Sequence, residues 1–147
     1  MVNSKIIYSQ SLKTSLEECI AEYSGRKIFL ITEENVNRLW VEQLNSFFDN
    51  YHIKKITIPP GEKNKSLDSV SKIWKFLSNN GADRKSLLIN IGGGMLTDLA
   101  GFAASTFKRG ISFINVPTTL LSQVDASIGG KTGINFNGLK NEIGTFR

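Results

Sequence analysis

The apolar positions of the chain fall into two kinds of block. Residues 27–32 (KIFLIT), 53–58, 87–91 and 111–116 are short, mainly apolar runs. Such runs predict strands buried on both faces, and residues 5–9 read as one further short strand. Between the runs, apolar residues recur every three or four positions. Leu12, Leu16, Cys19, Ile20 and Tyr23 do so over residues 11–23, and Val36, Leu39, Trp40, Leu44, Phe47 and Phe48 over residues 34–48. Leu67, Val70, Ile73, Trp74 and Leu77 follow, then Leu99, Phe102, Ala103 and Phe107 over residues 95–107. This spacing predicts amphipathic helices, with Cys19 and Trp40 on their core faces. Thr14 and Glu17 have the spacing of a capping box, Gly25 ends the first helix, and Gly81 stands at the C′ position of the third. The resulting order, β-α-β-α-β-α-β-α-β, predicts an α/β fold: a Rossmann-like parallel sheet with helices on both faces.

In such sheets ligands bind beyond the carboxyl ends of the strands. The polar clusters lie at those ends: Thr32-Glu33-Glu34-Asn35, Gly61-Glu62-Lys63-Asn64-Lys65, Gly92 to Asp98, and Pro117-Thr118-Thr119. Carboxylates at Glu33 and Glu34 suit ribose hydroxyls, or simply a helix dipole. The stretch 87–98, LLINIGGGMLTD, is the centre of the pattern. Strand, glycine turn and helix together aim backbone N–H groups and a helix N-terminus at a phosphate, and a Cβ in the turn would block that approach. The turn matches G-x-G-x-x-G except that Thr97 replaces the last glycine, and no acidic residue follows about 20 positions on. A tight turn without a ligand is the plain alternative.

Beyond Thr119 the pattern changes. Residues 120–128 predict a short helix carrying Asp125. Gly129-Gly130-Lys131-Thr132-Gly133 and Gly138-Leu139-Lys140-Asn141 read as glycine-rich loops whose lysines suit anionic groups, or as flexible surface loops. GGKTG resembles the end of a P-loop. The first glycine of that motif would be residue 125, an aspartate, and no strand leads into it, so a nucleotide-hydrolase reading is rejected. The chain stops at Arg147 directly after this polar segment, and a further domain is expected beyond it.

Composition narrows the classes. The 147 residues amount to about one domain, and 40% hydrophobic with 21% charged residues is ordinary for a globular protein. The net charge of +5 is scattered, and no nucleic-acid-binding motif accompanies it; a phosphate-rich ligand is the better reading. No apolar run approaches a membrane span, and the start has no secretory pattern. One cysteine excludes a disulfide framework and points to the cytoplasm. His52 is the single histidine, read as structural, so no metal site is expected from this chain alone.

Two segments, GGGMLTDLAGFAASTFKRG and PTTLLSQVDASIGGKTGINFNGLKN, closely resemble the 3-dehydroquinate synthase family of sugar-phosphate cyclases. TEENV and PGEKNK fall upstream in the right order. The resemblance covers essentially the whole chain but only the N-terminal, NAD-binding half of the family's length, so residues 1–147 are read as the first domain of a two-domain enzyme. It implies conversion of 3-deoxy-arabino-heptulosonate 7-phosphate to 3-dehydroquinate and phosphate in the shikimate pathway. A secondary alcohol is transiently oxidised by NAD, phosphate is eliminated, the hydride returns, and the ring opens and recloses by an aldol step. By position, Glu62 and Lys65 would meet the ribose region of NAD, and Gly93, Gly94 and Thr97 the pyrophosphate. Asp98 would hold the nicotinamide portion, with Thr118 and Thr119 lining the cofactor. Glu33, where the family usually has aspartate, and Asn35 would stand near ribose. Asp125, Lys131 and Asn141 would reach the substrate, Lys131 and Lys140 both ligands, and Arg109 the substrate phosphate, across a homodimer interface. The resemblance also implies a divalent metal, zinc or cobalt, held by a C-terminal helical domain absent from this chain, which by itself is then expected to be inactive. Other sugar-phosphate cyclases, a metal-dependent polyol dehydrogenase and a non-catalytic nucleotide-binding fragment are the competing readings.

Overall fold

The computed structural model describes residues 5–146. Helix α1 (Leu12–Ala21) precedes strand β1 (Ile28–Glu33). A broken helical stretch follows: α2 (Glu34–Val36), a π segment (Asn37–Val41), a 3-10 turn (Glu42–Leu44) and α3 (Asn45–Asn50). Strand β2 (Lys54–Ile58), a 3-10 turn (Glu62–Asn64), helix α4 (Leu67–Asn79) and strand β3 (Leu87–Gly92) come next. Helix α5 (Gly94–Thr106) leads to β4 (Ser112–Pro117), a π turn (Ser122–Ala126) and the strands β5 (Lys131–Phe136) and β6 (Leu139–Phe146).

The first four strands form one parallel sheet in the order β2-β1-β3-β4. Alternate residues of its strands enter two cores. Phe29, Ile31, Ile58 and Leu88 pack with α4 and α5. Ile28, Leu30, Leu87, Ile89 and Ile91 pack with Leu16 and Ile20 of α1 and with Val36, Val41, Phe47 and Phe48. Helices thus cover both faces, as the apolar runs predict. Among the described residues no helix is long and apolar enough to cross a membrane.

Five expectations need correction. Residues 5–9 form no strand; Ile6, Ile7 and Tyr8 are exposed, and without a neighbour to pair with, a short apolar run gains nothing from extension. The sheet therefore has four strands rather than five. The first helix is capped by Ser11, whose hydroxyl accepts from the Thr14 N–H, not by a Thr14–Glu17 box, and Cys19 is only half-buried. The helix over 34–48 is interrupted. Its π segment rotates the residues that follow, so Val41, Phe47 and Phe48 turn inward while Trp40 is left 62% exposed. Lastly, the lysine-bearing segments after residue 129 are not loops. Residues 131–136 and 139–146 are the two strands of an antiparallel hairpin.

The hairpin is turned by Asn137 and Gly138, both at positive φ (52° and 76°), the pattern of a two-residue hairpin turn. It packs on α5, which is consequently buried nearly all round instead of along one stripe. Contact is close because Gly101 lacks a side chain: a Cβ there would lie 2.7 Å from the Thr132 methyl.

Candidate functional site

The strand order reverses between β1 and β3, since the chain after β1 moves outward to β2 and the chain after β3 moves the other way to β4. The connections leave on opposite faces and open a crevice at the carboxyl ends of these two strands. One lip is the segment from Glu33. Its carboxylate accepts hydrogen bonds from the N–H groups of Asn35 (3.2 Å) and Val36 (2.8 Å), so the dipole role anticipated for it is the one seen. The other lip is the glycine turn. Gly93 is the N-cap of α5 and has no side chain to cap it, leaving the first-turn N–H groups for a ligand. Thr97 is buried within the helix, its hydroxyl donating to the Gly93 and Gly94 carbonyls (3.3 and 3.2 Å).

The β4 end closes over this turn. The Thr118 N–H donates to the Gly92 carbonyl (2.9 Å), and Thr119 and Ser122 cap each other's backbone N–H groups. A Cβ on Gly93 would stand 3.2 Å from the Thr119 methyl, and one on Gly94 3.3 Å from the Ala126 methyl. A side chain at either position would press on the segment after β4, which would have to give slightly, and would narrow the approach to the helix end.

Lys65 sits at the centre of the polar groups. It is 4% exposed, and its ammonium donates to Asp98 Oδ2 (2.7 Å) and Asn141 Oδ1 (2.5 Å). Three sequence-distant segments, the turn after β2, helix α5 and strand β6, thus meet on one cation. Burial pushes the Asp98 carboxyl above its ordinary value of 3.8; the Lys65 hydrogen bond and charge pull it down, while the charges of Asp125 and Glu62 add to the rise. Asp98, Asp125, Lys131 and Asn141 line one cavity of about 400 Å³, walled by the hairpin. An ammonium, an amide and two carboxylates around such a space can bind a polyhydroxylated anion and move protons on it.

Other residues singled out from the sequence do not line this cavity. Glu62 and Lys140 are exposed, at the turn after β2 and on β6. Arg109 follows the far end of α5, a 13-residue helix, and so stands roughly 20 Å from the glycine turn. It lies in a run of left-handed residues, Lys108, Arg109 and Gly110 (φ 48°, 73° and 112°). His52 is exposed in a left-handed turn before β2. Among the described residues no group of three or more His, Cys, Asp or Glu could hold a metal ion.

Asn135, which sequence reasoning passed over, joins this cluster through Glu62 and Asn141. The signal for it was the Asn137-Gly138 pair, which marks a hairpin and would have placed residues 131–136 on a strand. The hairpin depends on the pairing of Gly133 with Gly144. A Cβ on Gly144 would collide with the Thr132 carbonyl. Gly144→Ala is expected to lower stability by about 1–3 kcal/mol, read as a shift in the urea midpoint.

A sequence model described as 3-dehydroquinate synthase N-terminal matches residues 55–147. The chain is 45% identical over 149 residues to the 3-dehydroquinate synthase of Parabacteroides distasonis, covering 99% of this chain and 41% of that protein. It is 52% identical over 136 residues to that of Thermococcus kodakarensis, covering 92% of this chain and 38% of the relative. The chain therefore spans about 40% of the length of the curated relatives it matches. A crystal structure of 2-deoxy-scyllo-inosose synthase complexed with carbaglucose-6-phosphate, NAD+ and Co2+ superposes with a TM-score of 0.82 at 27% identity, over 92% of this chain and 38% of that one.

Proposed function

The chain belongs to the 3-dehydroquinate synthase family, and from that premise we propose that it is the NAD-binding domain of a synthase that turns 3-deoxy-arabino-heptulosonate 7-phosphate into 3-dehydroquinate and phosphate. The observation that carries this reading is the meeting of Lys65, Asp98 and Asn141 beside the glycine turn. It joins a dinucleotide-type crevice to a cavity suited to a sugar phosphate.

The residues present fit the cofactor: an uncapped helix N-terminus, glycines where a Cβ would intrude, and carboxylates at the strand ends. When bound, NAD would supply a transient hydride acceptor for a secondary alcohol of the substrate, an oxidation that would acidify the neighbouring C–H and so allow loss of phosphate. The first-turn N–H groups of α5 hold the pyrophosphate, and Thr118 and Thr119 line the same crevice. Glu62 and Lys65 take the ribose region and Asp98 the nicotinamide side. Glu33 and Asn35 stand at the far lip. Asn141 and Lys131 orient the substrate, Lys131 and Lys140 offering positive charge to its anionic groups, while Asp125 faces the same cavity and accepts hydrogen bonds from its hydroxyls.

No set of donors among the described residues fits the divalent metal of the family. We assign the metal, and with it turnover, to residues outside this chain. Arg109, roughly 20 Å from the glycine turn along α5, is assigned to the substrate phosphate of a second copy. The 147-residue chain incubated with the heptulosonate phosphate, NAD and zinc is expected to release no phosphate; measurable release would refute the assignment. Calorimetric titration of NAD into the chain tests the cofactor reading. Saturable one-to-one binding is expected, and its absence would mean the crevice alone is not a cofactor site. Identities of 45% and 52% to dehydroquinate synthases, against 27% to the inosose synthase, favour the dehydroquinate reaction over other cyclisations.

A further inference from the structure

Asn135 lies where the hairpin ladder is irregular. Ile134 pairs with Ile143 and Phe136 with Leu139, and the register shifts between them. Asn135 thus stands opposite three residues of β6, Lys140, Asn141 and Glu142, and an irregularity of this kind takes residues out of the regular ladder and re-aims them. Asn135 uses three of its groups. Its N–H donates to the Lys65 carbonyl (2.9 Å), its side-chain amide donates to Glu62 Oε1 (3.0 Å), and its side-chain carbonyl accepts from the Asn141 N–H (2.9 Å). Asn141 is itself at φ +53°, a left-handed conformation that asparagine adopts more readily than most residues.

We propose that Asn135 is a positioning residue: a latch that ties the Glu62–Lys65 turn to Asn141, so that the cofactor turn and the substrate-facing hairpin are ordered as one unit. The inference rests on the cofactor and substrate roles proposed above. Asn135 touches neither ligand by this account. It acts through Glu62, whose carboxylate it orients, and through Asn141, whose amide it anchors while Lys65 holds the side chain. Occupancy of one half of the site then favours the binding geometry of the other.

The test compares Asn135→Ala, Asn135→Asp, Glu62→Gln and the double variant Asn135→Asp with Glu62→Gln, by NAD titration, native-state amide exchange and thermal melting. Asn135→Asp keeps the acceptor for the Asn141 N–H and loses the donor to Glu62. The double variant restores a donor–acceptor pair with its polarity reversed. Both single variants at Asn135 are expected to bind NAD at least roughly fivefold more weakly, since each loses the hydrogen bond to Glu62 and Asn135→Asp also sets a second carboxylate against it, and the double variant to bind as well as Glu62→Gln alone. The Asn141 amide is expected to exchange faster in Asn135→Ala but not in Asn135→Asp. A melting shift without change in NAD affinity or in Asn141 exchange would overturn the proposal, because a merely structural residue behaves that way. Should the unmodified chain not bind NAD, the cofactor reading fails by itself, and the latch is decided by the exchange of the Asn141 amide in the two single variants.

Discussion

Lys65→Met lowers the stability of the chain by about 3 kcal/mol at neutral pH, and the deficit shrinks on acidification. The physical basis is a buried ion pair with one partner removed. Lys65 and Asp98 are 2.7 Å apart, with side chains 5% and 20% exposed. Methionine fills a similar volume but leaves Asp98 without its cation, and an uncompensated buried charge costs roughly 3–5 kcal/mol. With the ammonium gone, the remaining influences on Asp98 (burial, Asp125 and Glu62) all raise its pKa. Its folded-state value then lies above its unfolded one. Stability from the neutral carboxyl is full below the ordinary value of 3.8 and is lost as the pH rises through the folded-state value. Urea unfolding at pH 4 and at pH 7 checks the sign: the gap to the unmodified chain should be small at pH 4 and wide at pH 7. Lys65→Met together with Asp98→Leu removes both charges and should regain most of the loss. Equal stability of Lys65→Met and the parent at pH 7 would mean that the pair is not the desolvated contact its burial indicates.

Gly94→Asp abolishes NAD binding while the fold persists. The side chain would enter beside the Ala126 methyl, 3.3 Å from the new Cβ, and place a carboxylate at the first residue of α5, where the pyrophosphate charge is to lie. An acidic residue in the first turn is favourable to the helix itself, so the melting temperature should move little. Like charge in the anion position, with its N–H donors already engaged, should weaken binding by about 100-fold or more. Titration of parent and variant side by side decides it. Undiminished binding in Gly94→Asp would show that the nucleotide does not use this helix end.

The strands and the glycine turn were legible because each is a local pattern. KIFLIT and LLINI are apolar at nearly every position since both faces of a central parallel strand are covered, and the turn after Ile91 can be read from Gly92, Gly93 and Gly94 alone. The same locality misled where partners decide. Residues 5–9 have the composition of a strand and no strand beside them. Trp40 has helical spacing, but a π turn that no periodicity announces swings it to the surface. Lys131 and Lys140 look like loop lysines because Gly133 and Gly144 break up their strands, yet those glycines are what allow the two strands to come together.

The candidate site divides along the same line. Family membership and the identity of Lys65, Asp98, Asp125, Lys131 and Asn141 could be read in order along the chain, because residue type and spacing are one-dimensional. That Lys65 and Asn141, 76 positions apart, share one hydrogen bond, and that Asn135 joins the Glu62–Lys65 turn to the hairpin, could not. Those facts depend on long-range approach of segments, and only the packing of the hairpin on α5 and the reversal of strand order at β1 and β3 bring them about.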